Sequence, residues 1–270
     1  MNRRAVLLLA LAAFAPAFAA AYDAAAMVDS SVGTMPLILT VPHDGNEPLG
    51  TTPARKKGVF VRDENTRETA EAVARALEAR TGKRPYIVIA KAARKYVDPN
   101  RPEDEALESP EALPAYRAYH DRVAAYVAEV KAKYPGAGLL VDVHGQKAEP
   151  DAVLRGTRAG LTTKRLVDRF GTKAIQGGDS LIGLLAAKGY KVYPAVDAAS
   201  LTEMQGYTGG FTVFHYGSQN AAGIDAIQLE LGRNLRNSAR FAEDLAEALV
   251  KFMDKYGLEP ADKATSRGAS

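Results

Sequence analysis

Gly138-Leu139-Leu140-Val141-Asp142-Val143-His144 is a short apolar run that stops at a histidine. Leucine and valine interrupted only by Asp142 suit a strand covered on both faces, as in the interior of a parallel sheet. A second run of this kind, Leu37-Ile38-Leu39-Thr40-Val41-Pro42-His43, also stops at a histidine. A third, Ala226-Ile227-Gln228-Leu229-Glu230-Leu231, carries a carboxylate inside it. Ligands of open α/β sheets bind at the C-terminal ends of the strands, so the two histidines become candidates for one shared metal site.

Around these runs the pattern alternates. Residues 63–81 have helical spacing at Thr69, Val73, Ala76 and Leu77, begin with acids and stop at Gly82. A strand is expected at 86–90. A long amphipathic helix over 110–133 presents Tyr116, His120, Val123, Ala124 and Val127 on one face, and it feeds the strand at 138–143. Further on, strands are expected at 153–155, 191–194 and 226–231, and helices near 163–170 and 180–188. Residues 238–256 close the pattern as a helix with Phe241, Leu245, Leu249 and Phe252 on its core face. The expected fold is α/β, with a mostly parallel or mixed central sheet and helices on both faces. No internal repeat is visible.

Arg3-Arg4, the apolar stretch 5–18 and the small residues Ala17-Phe18-Ala19-Ala20 read as a secretory signal peptide. The expected organisation is a signal peptide over 1–20, one α/β domain over 21–260 and a disordered polar tail over 261–270, in a periplasmic or secreted protein. Lys and Arg number 35 against 32 Asp and Glu, and without Arg3 and Arg4 the balance is 33 against 32. That near-neutrality argues against a nucleic-acid partner and for a small-molecule one. No second stretch is long and apolar enough to span a bilayer. The chain has no cysteine, so a metal here is held by histidine and carboxylate, a donor set that suits zinc with an open position.

His43 and His144 supply two such donors. For the third, Asp63 or Glu64 at the start of the first helix is favoured over Glu47. Glu230 lies in a run that otherwise reads as buried, where an unpaired carboxylate is costly. It is therefore either salt-bridged, to Arg233 or Arg236, or a base. His120, on a helix, reads as a core histidine or one that supports the site from behind.

The blocks Val41-Pro42-His43-Asp44-Gly45, Asp63-Glu64-Asn65-Thr66, Arg94 with Val97-Asp98-Pro99-Asn100-Arg101, Asp142-Val143-His144-Gly145, Gly209-Gly210-Phe211-Thr212, His215-Tyr216-Gly217 and Gln228-Leu229-Glu230-Leu231 follow one another in this order. Together they resemble the N-formylglutamate amidohydrolase family, among the zinc-dependent carboxypeptidase-like hydrolases. The resemblance implies a zinc-exopeptidase-like (phosphorylase/hydrolase-like) sheet between helices, one Zn2+ per chain and hydrolysis of an amide on an acylated amino acid. It implies zinc on His43, on the acidic position of Asp63-Glu64 and on His144, with Glu230 activating the zinc-bound water. It further implies Arg94 on the scissile carbonyl, Asn100 and Arg101 on the substrate carboxylate, and a substrate contact from His215. The alternatives are a cell-wall N-acetylmuramoyl-alanine amidase and a non-catalytic ligand-binding relative; Glu230 separates the latter, since a pure binder has no use for a carboxylate poised beside a metal.

Overall fold

A computed structural model of the chain describes residues 22–258. The signal peptide expected over 1–20 and the polar tail over 261–270 lie outside the described residues. The elements are β1 (Val28–Ser31), β2 (Leu37–Val41), α1 (Thr66–Thr81), β3 (Tyr86–Ala90), α2 (Glu103–Ala106), α3 (Leu113–Lys133), β4 (Leu139–Gln146), β5 (Ala152–Gly156), α4 (Lys164–Phe170), α5 (Lys173–Gln176), α6 (Leu181–Ala187), β6 (Lys191–Tyr193), α7 (Phe211–Tyr216), β7 (Asp225–Gly232) and α8 (Ala239–Lys255).

The strands form one seven-stranded mixed sheet in the order β1-β3-β2-β4-β7-β5-β6. Strands β3, β2, β4 and β7 run parallel, β1 joins β3 antiparallel and β5 joins β7 antiparallel. The α/β class, the mixed sheet and the helices on both faces are as the alternating pattern predicts. The chain passes from β2 through α1 to β3 on one side, and from β3 through α3 to β4 on the other. This reversal makes the crevice at the C-terminal ends of β2 and β4 the natural ligand position.

Side-chain alternation divides the central strands cleanly. Leu37, Leu39, Leu139, Val141, Val143, Ile227, Leu229 and Leu231 face α1 and α8, where Val73, Leu77, Phe241, Leu245, Leu249 and Phe252 complete the larger core. Ile38, Leu140 and Ala226 face α3 and α7 and pack with Tyr119, Val123, Tyr126, Val127, Val213 and Tyr216. Each buried Val, Leu, Ile or Phe among them contributes roughly 1.5–3 kcal/mol. The second row turns polar toward the strand ends, at Thr40 on β2, Asp142 and His144 on β4, and Gln228 and Glu230 on β7. All five are buried, and the apolar core beneath fixes their direction.

Three details depart from the sequence reading. Strand β4 continues to Gln146, so His144 lies inside the strand, whereas His43 lies two residues beyond β2. Helix α1 begins at Thr66, three residues after Asp63, because Asn65 takes a left-handed conformation (φ 68°) ahead of the first turn. Strand β1 and helices α2, α5 and α7 are additions; β1 has a single apolar residue in Val-Asp-Ser-Ser, and its backbone pairing to β3 creates it.

Candidate metal centre

His43, Asp63 and His144 meet at the crest of the sheet, and all three are buried. Nδ1 of His43 is 3.3 Å and Nδ1 of His144 is 3.2 Å from the same oxygen, Oδ2 of Asp63. One ligand atom from each residue falls within 4.8 Å of the others. Asp63 is held in the loop by its own N–H, which donates to the His43 carbonyl at 3.0 Å, and by the Gly145 N–H, which donates to Oδ2 at 3.1 Å. The left-handed turn at Asn65 follows directly, and Glu64 points outward and is exposed. Glu47 is exposed as well, its backbone bonded to Lys91 and Ala93. Of the three acids open in the sequence, the structure brings only Asp63 to the histidines.

The far edges of both imidazoles are braced by carboxylates. Nε2 of His43 is 2.6 Å from Asp98 Oδ1, and Nε2 of His144 is 2.8 Å from Asp142 Oδ2. Asp98 and Asp142 are themselves held, the first by Arg94 Nε at 3.0 Å and the Asn100 N–H at 3.0 Å, the second by Thr40 Oγ1 at 2.6 Å. An ionised carboxylate only accepts, so Nε2 of each ring donates to its brace, and Nδ1 faces Asp63, where it either shares a proton with that carboxylate or gives its lone pair to a bound cation. Three lone-pair-bearing atoms at this spacing call for a shared positive charge. Two carboxylate-oriented imidazoles and an aspartate are a donor set that fits a zinc ion.

The electrostatics carry the same demand. Burial works against the charge on Asp63, but hydrogen bonds and charges from His144 and His43 outweigh it and hold the carboxyl far below the usual carboxylate range. Burial likewise opposes a charged His144, yet Asp142, Asp63 and Glu230 together keep it well above ordinary imidazole. The pocket is built for a cation.

Glu230 is the register partner of His144 across β4 and β7. Gln228 Nε2 donates to its Oε1 at 2.8 Å, and among the described residues it has no ion pair. Arg233 is exposed, and Arg236 Nη1 turns instead to the Glu64 carbonyl at 2.6 Å. Burial, above all, pushes the Glu230 carboxyl up to about 7. These side chains open into a cavity of about 750 Å³ that is also lined by Arg94, Arg101, Lys147, Arg158, Tyr207 and Arg236. The wall around Tyr207 is fixed from behind, where the fully buried Arg155 gives Nε to Glu203 Oε1 at 3.1 Å while Glu203 accepts from the Thr157 N–H.

The remaining expected site residues are distributed unevenly. Arg94 lines the cavity, with Nη1 3.6 Å from Asp63 Oδ1. Asn100 is buried and already engaged: Nδ2 lies 3.2 Å from His144 Nε2 and Oδ1 accepts from the Thr212 N–H at 2.8 Å. Arg101 is exposed at the rim. His215 is not among the residues lining this cavity; it is exposed on α7 and stacks on Phe211, ring centroids 5.0 Å apart. Asp98, Asp142, Gln228 and Arg236 were not singled out in the sequence as parts of the site. Asp142 alone had a readable signal, two residues before His144 in a strand.

Two solved structures share this architecture. An N-formylglutamate amidohydrolase from Ralstonia eutropha JMP134 is 17% identical, with a TM-score of 0.61, over 86% of this chain and 99% of that one. The gene product Atu2144 from Agrobacterium tumefaciens is 16% identical, with a TM-score of 0.54, over 85% and 93%. A search of curated protein sequences finds no match. At this level of identity the likeness shows a shared mixed α/β fold. Residues 112–236 match the N-formylglutamate amidohydrolase family, which bears out the resemblance carried by the ordered motifs. The matched segment holds His144 and Glu230; His43 and Asp63 lie outside it, and the fold brings them in.

Proposed function

We propose that the protein is a zinc-dependent amidohydrolase that cleaves the amide bond of an N-acyl amino acid or short acyl peptide outside the cytoplasm. One observation carries the reading: two carboxylate-braced histidines and Asp63 converge in the same cavity as a buried glutamate that has no ion-pair partner among the described residues. Asp63, His43 and His144 would hold the ion. A zinc so held supplies Lewis acidity toward a water and toward the substrate carbonyl.

The other steps belong to the chain. Gln228 ties down one oxygen of Glu230, and the carboxylate takes a proton from the attacking water as its oxygen bonds to the carbonyl carbon. Glu230 then gives that proton to the amide nitrogen as the C–N bond breaks, releasing the acid and the amine. Arg94, anchored through Nε on Asp98, directs its remaining donors toward charge developing on the carbonyl oxygen. The carboxylate of the acyl amino acid meets the cationic side of the cavity. The leader-like N-terminal residues support export.

The test is metal analysis with a panel of N-formyl and N-acetyl amino acids. Wild-type protein is expected to carry about one zinc per chain and to lose hydrolysis reversibly with a chelator. Glu230→Gln is expected to keep the metal and lower kcat by roughly two to four orders of magnitude. Near-wild-type activity in this variant would move the base elsewhere, and preferential cleavage of peptidoglycan fragments would favour the cell-wall amidase.

A further inference from the structure

The cations around the cavity are not equivalent. Arg62 is paired with Asp44 at 2.7 Å and Arg94 with Asp98 at 3.0 Å. Arg158 lies over the Phe214 ring, 4.2 Å from its centroid, and Arg101 and Lys147 are exposed to solvent. Arg236 differs from all of them. It is 7% exposed, and no carboxylate pairs with it among the described residues.

Its three nitrogens are in different states. Nη1 donates to the Glu64 carbonyl at 2.6 Å. Nε is sealed from solvent and has no acceptor. Nη2 has no hydrogen-bond partner among the described residues. The guanidinium lies so close over Gly145 that a Cβ at that position would overlap Nη1. Gly145 follows His144 and donates its N–H to Asp63 at 3.1 Å, so the cation sits directly beside the candidate metal centre. A guanidinium does not shed its charge when buried, and a buried charge offset by a single carbonyl is costly. A buried cation so short of acceptors calls for a counter-charge, and an anion delivered by a ligand into the cavity that Arg236 lines provides one without having to reach the sealed Nε.

We propose that Arg236 is the residue that binds the substrate's free carboxylate and sets a preference for acids over their esters. The identity of the anion rests on the N-acyl amino acid reading; the anion subsite itself does not. Burial and the contact with Gly145 hold the guanidinium in place before ligand arrives, whereas solvated Arg101 must be ordered at each binding event. Arg101 then adds charge at the rim without defining specificity.

The experiment compares N-acetyl-L-alanine and N-acetyl-L-leucine with their methyl esters on metal-loaded protein. Binding is read by ligand-observed NMR titration and turnover is measured separately. Wild type is expected to favour the acids by about ten-fold or more, as a charge-assisted pair requires. Arg236→Gln should abolish that preference with zinc content and melting temperature unchanged, and Arg101→Ala should keep it. Should Arg236→Gln fold poorly, Arg236→Lys retains the charge without the planar fork, and an intermediate preference is expected. Acid preference retained in Arg236→Gln, undiminished from wild type in Arg236→Lys, or absent from wild type overturns the proposal. Acid-selective binding without any turnover would instead leave the subsite standing and sink the hydrolase reading.

Discussion

The chain has four histidines, and the fold sorts them into two unlike pairs. His43 and His144 are both buried with ring centroids 4.7 Å apart. Each is braced by a carboxylate, and both face Asp63. His120 and His215 are 6.3 Å apart on the α3/α7 face. There His120 is fixed by neutral partners, the Pro99 carbonyl at 2.9 Å and the Tyr216 hydroxyl at 3.0 Å. Burial, with no carboxylate in contact, pushes His120 down to about 4. The lesson concerns charge: one pair sits in a field that demands a cation and the other in a field that rejects one. Proximity of two imidazoles is common to both and decides nothing.

The sharpest way to break this contrast is to remove one ring from each pair. His43→Ala and His144→Ala are expected to lose the metal and all measurable hydrolysis, whereas His215→Ala should keep full metal occupancy and activity within about two-fold, because an exposed ring outside the cavity contributes only local contacts. Elemental analysis and turnover check this together. Full occupancy in either ligand variant would dissolve the distinction.

A smaller effect tests the braces. Asp98→Asn and Asp142→Asn should each weaken metal affinity by about 10- to 100-fold, the usual cost of losing the group that orients a ligating imidazole. Competition with a chromophoric chelator measures it. Equal affinity in both variants and wild type would mean that the carboxylates merely fill space.

The effect furthest from the chemistry belongs to His120, and it is one on stability. The unfolded ring takes up a proton near 6.5, whereas the folded one does so only near 4. Between these values the unfolded chain binds more protons, so stability rises with pH and is lost as pH falls from about 6.5 to about 4. The full contribution is about 3 kcal/mol. Urea unfolding across this range should therefore show a flatter pH profile for His120→Gln than for wild type, and parallel profiles would contradict the assignment.

The sequence alone was enough for the α/β class, the main strands and the positions of His43, His144 and Glu230. Each rests on local physics. Short continuous apolar runs announce strands buried on both faces, and a carboxylate inside a buried run is costly enough to be noticed by itself. Only the tertiary structure decided between Asp63 and Glu64. Adjacent residues carry the same charge, and a left-handed turn at Asn65 together with the His43 carbonyl selects which one turns inward. The braces and the anion subsite were beyond local reading for the same reason. Asp98 lies 55 residues from His43 in sequence, and Arg236 lies 172 from its Glu64 partner. What they do depends on which strand ends meet at the crest of the sheet, and the packing of α1, α3 and α8 on its two faces settles that.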